Sequence, residues 1–135
     1  MIKRTEILIG VLFLIFQSCS TSQEQITFSK EEQMKKDRES LDMMYEEILT
    51  ISHSNECTTP DNWTFTKIGA KACGGPTHYI PYPTNIERTA FLEKVTKYTK
   101  AEDQFNKKWK LNSDCMIPAA PTAIKCENGK AILVF

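Results

Sequence analysis

Few side chains in this sequence have both the chemistry and the spacing to form a reactive site: the cysteines, two histidines and an acid set in a polar loop. Cys57, Cys73, Cys115 and Cys126 are far apart in sequence. Structural zinc takes ligands in tight pairs, with about two to four residues between them, and these gaps are too long for that. A thioredoxin-type centre needs C-x-x-C, and none is present. An even set of four therefore predicts two disulfides in an oxidising compartment. The favoured pairing is Cys57–Cys126 with Cys73–Cys115; the other considered is Cys57–Cys115 with Cys73–Cys126. A bridged sulfur is not a nucleophile, which argues against Cys73 and His78 as a catalytic pair. Asp114, in Asn112-Ser113-Asp114-Cys115, is expected first as a turn residue. Paired with His78, it would instead serve a small envelope enzyme. H-E-x-x-H, G-x-S-x-G and P-loop signatures are absent. The expectation is a protein without catalytic residues, cofactor or metal.

A binding surface is the better use of these loops. Gly74-Gly75 permits positive φ and Pro76 fixes its own φ, so the chain turns sharply after Cys73. His78, Tyr79 and Tyr82 follow closely. A fastened turn with aromatic neighbours loses little entropy on contact with a partner. Gly74, Gly75, Pro76, His78, Tyr79, Tyr82 and Asp114 are the expected ligand-binding residues. The competing expectation is that the turn only reverses the chain and the tyrosines cover the core.

The fifth cysteine, Cys19, has a different setting. Lys3 and Arg4 precede the apolar run Ile7–Phe16, which is too short to span a bilayer as a helix, for which roughly 20 residues are needed. A basic start followed by a short apolar stretch is the pattern of a secretory signal peptide. It ends in Phe16-Gln17-Ser18-Cys19, which resembles a bacterial lipobox at Ser18 and Cys19 and departs from its commonest form at Phe16 and Gln17. The resemblance implies cleavage before Cys19 and acylation of that residue. Several acyl chains at about 0.8 kcal/mol per buried CH₂ give a lasting anchor. Ser20, rather than Asp, implies outer-membrane delivery. The expected organisation is a signal peptide over 1–18, a polar tether over 19–28 and one disulfide-stapled domain over 29–135.

Composition agrees with a single domain. The chain has 135 residues, 41% hydrophobic and 25% charged, with 17 basic and 17 acidic residues. That size limits it to one domain, and that charge balance leaves no footprint for nucleic acid. Loss of residues 1–18 removes Lys3, Arg4 and Glu6 and leaves the balance almost unchanged.

Periodicity supplies the elements. Ser29 and Glu32 form a capping-box pattern ahead of Met34, Leu41, Met44, Tyr45, Ile48 and Ile51, predicting a helix over about 30–52 whose charged first half is exposed or frayed. Trp63–Ile68 and Thr77–Tyr82 predict strands, with Pro81 restricting the second to an edge. Thr84 and Glu87 suggest another capping box. Phe91, Val95, Tyr98, Ala101, Phe105 and Trp109 then predict a helix over about 86–109. Asn128-Gly129 between two β-prone runs predicts a hairpin, with Glu127 facing Lys130 and a buried strand at the chain end. The fold expected is α+β, a small antiparallel sheet of about four strands packed with one or two helices.

The run Trp63 through Ala72-Cys73-Gly74-Gly75-Pro76-Thr77-His78-Tyr79, with Ser113-Asp114-Cys115 and Cys126-Glu127-Asn128-Gly129, resembles a group of small Gram-negative envelope lipoproteins of unassigned activity. It covers about 57–130 and implies export and the cysteine framework, with no ligand. The function expected is an outer-membrane-anchored accessory module. It would contact the membrane through lipid at Cys19 and an envelope or extracellular protein through its domain. An inhibitor of a secreted hydrolase is the alternative.

Overall fold

A computed structural model describes residues 29–135. The expected signal peptide, Cys19 and the expected tether lie outside the described residues. The order is α1 (Lys30–Ser52), a 3-10 turn (Pro60–Asn62), β1 (Trp63–Ile68), β2 (His78–Pro83), α2 (Arg88–Trp109), β3 (Ala123–Glu127) and β4 (Lys130–Val134). The class is α+β. The strands form two separate antiparallel pairs, β1–β2 and β3–β4, rather than the single sheet expected.

The α1 capping box is formed: the Ser29 hydroxyl accepts from the Glu32 amide, and the Glu32 carboxylate accepts from the Ser29 amide. Such a cap contributes about 1 kcal/mol. The charged first half of α1 is held. Asp37 accepts from Lys108 Nζ and from Trp109 Nε1 at 3.0 Å, and Arg38 lies 4.2 Å over the Phe105 ring. Contacts from the start of α1 to the end of α2 make the two helices antiparallel neighbours.

The helix stripes meet β1–β2 in one core. Leu41 and Ile48 come from α1, Phe91, Val95, Tyr98 and Phe105 from α2, and Ile68, Ile80 and Tyr82 from the strands. Thr66 lies opposite Ile80 and Thr64 opposite Tyr82, so the helix-facing side of β1 carries Thr64, Thr66 and Ile68. Trp63 and Phe65 are on the reverse side. At the end of α1, the fully buried Ser52 hydroxyl donates to the Pro81 carbonyl at 2.6 Å.

The start of α2 differs from expectation. Thr84 Oγ1 donates to the Asn62 carbonyl at 3.1 Å, and the helix begins only at Arg88, with Glu87 at its N-cap and no side-chain cap. The hairpin turn is as expected, with positive φ at Asn128 and Gly129. Glu127 lies opposite Lys130, but its ion pair is with Lys125 at 2.7 Å. β4 is only half-buried and Phe135 is 69% exposed, because a two-stranded pair has no layer covering its full length. The Cys57–Cys126 disulfide fastens this hairpin to the body across a sequence separation of 69 residues. Cross-links of this kind contribute roughly 2–4 kcal/mol.

One glycine is sterically required. Gly69 ends β1 at φ +79°, and a Cβ there would lie 1.9 Å from Thr77 Oγ1 and 2.7 Å from a Glu102 carboxylate oxygen. Gly74, at φ +95°, has nothing within 4 Å of that position. Gly69→Ala should therefore lower unfolding stability by about 2–4 kcal/mol, through backbone strain and overpacking. Gly74→Ala should cost only about 1 kcal/mol, from its left-handed φ. Urea denaturation of the two variants checks the difference.

Candidate functional site

The chain leaving β1 is gripped by α2. The Gly69 amide donates to Thr99 Oγ1 at 3.1 Å and the Ala70 amide to a Glu102 carboxylate oxygen at 2.7 Å. Asn106 Nδ2 donates to the Ala70 carbonyl at 2.7 Å. Thr99, Glu102 and Asn106 recur at helical spacing, so one polar stripe of α2 holds two consecutive residues. The turn beyond closes on itself, with Lys71 N–H to the Gly75 carbonyl and Gly74 N–H to the Lys71 carbonyl, both 2.9 Å.

This turn in turn holds the connection between α2 and β3. Lys71 Nζ donates to Asp114 Oδ1 and, at 2.6 Å, to the Met116 carbonyl. The Asp114 carboxylate also accepts from the Met116 amide at 3.1 Å. Hydrogen bonds from Lys71 hold the Asp114 carboxyl below its ordinary range. Cys73 reaches the same loop: its amide lies 3.4 Å from Ser113 Oγ, and its thiol donates to the Asp114 carbonyl at 3.2 Å. The Cys73 and Cys115 side chains are exposed neighbours. Of the two bridges expected, Cys57–Cys126 is formed, which excludes the pairing of Cys57 with Cys115.

Gly74, Gly75, Pro76 and Asp114 are thus brought to one end of the molecule. Gly75 and Pro76 also line a groove of about 620 Å³ beside α2, together with Val95, Thr99 and Lys100. His78, Tyr79 and Tyr82 are placed differently. Tyr82 is 1% exposed and packs on Phe91 at 4.6 Å between ring centroids, so its expected place on a binding surface is corrected to the core. Tyr79 is half-buried and meets Phe65 edge-on. Sequence reading missed Lys71, the side chain that joins turn and loop. A lysine two residues before Cys73 carries no local signal of a partner in the 113–116 segment.

His78 is built into a polar chain. The Thr77 hydroxyl donates to the Ile68 carbonyl at 3.0 Å, so it accepts from His78 Nδ1–H at 3.0 Å. Nε2 then accepts from the Tyr45 hydroxyl at 2.8 Å. Tyr45 packs on Tyr98, whose hydroxyl donates to Glu102 at 3.2 Å. Burial pushes His78 below its ordinary pKa, against the opposing pull of Glu102, and pushes both tyrosines up. Both ring nitrogens of His78 are engaged, and among the described residues none is seen to hydrogen-bond to both His78 and Asp114.

No protein-family model, curated protein or solved structure matches the chain. No helix among the described residues is long and apolar enough to cross a membrane.

The sign of the His78 effect is fixed by its burial. Above pH 6.5 the imidazole is neutral in both folded and unfolded chains. Below that pH the unfolded chain takes up a proton that folded His78 resists. This contribution to stability is therefore full above pH 6.5 and is lost as pH falls towards the lowered folded value. Chemical denaturation at a series of pH values should show that decline, and His78→Gln should flatten it.

Proposed function

We propose that this chain is a lipid-anchored protein of the bacterial outer membrane, and that its domain is a non-catalytic binding module for an envelope or extracellular protein. The signal-like residues 1–18, the lipobox-like Ser18-Cys19 and the Cys57–Cys126 disulfide support export. The observation that carries the binding reading is the loop held by Lys71. Met116 and Ile117 are each 76% exposed there, beside the exposed Gly74–Gly75 turn. Two adjacent apolar side chains on a fastened loop give contact area at small entropic cost.

The same geometry gives the inhibitor reading a specific basis. Lys71 supports the Met116 carbonyl and Asp114 holds its amide in an Asx-type turn, which fixes an exposed apolar segment for insertion into a hydrolase cleft.

Two measurements test the proposal. Intact-mass analysis of the membrane fraction should find residues 1–18 absent and acyl mass on Cys19; a soluble, unacylated product would overturn the anchor. A photo-crosslinker replacing Ile117 should give a discrete protein adduct in whole cells. That adduct should vanish with Met116→Asp, whereas a probe at buried Tyr82 should give none. Equal labelling from both sites, or none from Ile117, would overturn the binding surface.

A further inference from the structure

The β1–β2 pair has its Ile68–His78 end at the Gly-Gly-Pro turn and its Trp63–Pro83 end on the far side of the molecule. At that far end two clefts, of about 300 and 500 Å³, meet at Asn55, Glu56 and Trp63, which line both. Both volumes are in the range of small-molecule sites. Long-range bonds fix the walls. The Cys57–Cys126 bridge, and the Cys57 amide donating to the Gly129 carbonyl at 2.7 Å, hold the hairpin against the segment after α1. Asn55 Nδ2 donates to Asn85 Oδ1 at 2.8 Å, and both the amide and the hydroxyl of Thr84 donate to the Asn62 carbonyl. The clefts are therefore formed before anything enters them, which lowers the cost of binding.

The polar groups of these walls have unused hydrogen-bonding capacity. Trp63 is only 8% exposed, and an indole so buried normally has a partner for its N–H. Among the described residues nothing accepts from Trp63 Nε1–H, and that group is open to solvent. Glu56 lies along the hairpin turn, where a Cβ on Gly129 would come 2.9 Å from its carboxylate oxygen. Its carboxylate has no ion pair among the described residues. Thr58, Thr59 and Asn62 add two hydroxyls and an amide to the smaller cleft, again without side-chain hydrogen bonds among the described residues.

We propose that the paired clefts bind a neutral saccharide of two ring units. Each sugar hydroxyl both donates and accepts. One polyol can therefore match an acceptor-only carboxylate, a donor-only indole N–H, and hydroxyl and amide groups that play both roles. Charge favours a neutral ligand. Glu56 stands in both clefts and repels an acidic sugar, while Lys130 in the larger cleft opposes a cation. The three shared residues lie where the two volumes meet, so each cleft takes one ring and the linkage passes Glu56 and Trp63. The site is separate from the Met116–Ile117 loop and stands whether or not that loop holds a protein.

The test is titration of the isotope-labelled full chain with cellobiose and, in parallel, with N,N′-diacetylchitobiose, following the indole N–H resonances of its two tryptophans by NMR. The expected result is a saturable shift of the Trp63 signal with at least one of the two sugars. The Trp109 signal, whose N–H is bonded to Asp37, should stay in place. The corresponding monosaccharide should bind about tenfold more weakly, because it fills one cleft. Glu56→Gln should weaken the disaccharide about tenfold through loss of a charged acceptor, and Trp63→Phe should do the same by calorimetry through loss of the N–H. Absence of a saturable Trp63 shift with both sugars, equal movement of both indoles, a monosaccharide as tight as its disaccharide, equal affinity for putrescine, or unaltered affinity in Glu56→Gln would each overturn the proposal. Glu56 is exposed, so the unaltered chain and this variant decide it even if Trp63→Phe misfolds.

Discussion

The grip of α2 on the backbone of Gly69 and Ala70 is the constraint from which the functional end of the molecule follows. β1 ends there, and three side chains of one helix stripe take up two amides and a carbonyl in succession. Left-handed Gly69 brings the chain close enough for Thr77 and Glu102 to occupy the space a side chain would need. The turn that follows is therefore fixed relative to the helix. Lys71 then projects from it to capture Asp114 and Met116, and Cys73 to meet Ser113 and Cys115. An otherwise irregular connection is ordered from outside, by a turn it meets only through the fold.

Two-stranded sheets are marginal on their own. Here each is secured in a different way. β1–β2 lies under two antiparallel helices and contributes Ile68, Ile80 and Tyr82 to the core. β3–β4 is half-exposed and depends on the Cys57–Cys126 bridge, reinforced where the Cys57 amide donates to the Gly129 carbonyl at 2.7 Å.

Much of the fold was legible because its signals are local. The Ser29–Glu32 box, the stripes of both helices and Asn128-Gly129 each act within a few residues, and each has the structure its chemistry dictates. Signals that depended on a distant partner misled. Thr84 reads as a cap but bonds to Asn62, and Tyr82 reads as a binding-surface residue at the end of a strand but lies against Phe91. Of the candidate site, spacing could name the cysteines and the Gly-Gly-Pro turn. It could not show that Lys71 links that turn to Asp114, because a long-range hydrogen bond leaves no period in the sequence.

Amide hydrogen exchange of Glu102→Ala, resolved by peptide, tests this dependence most directly. The substitution removes the acceptor for the Ala70 amide and for the Tyr98 hydroxyl without touching the loop. Faster exchange is predicted both over residues 69–77 and over 112–117, with the disulfide-held β3–β4 hairpin unchanged relative to the native chain. Unchanged protection over 112–117, or a uniform loss across the whole domain, would contradict the claim that the helix orders the loop through the turn.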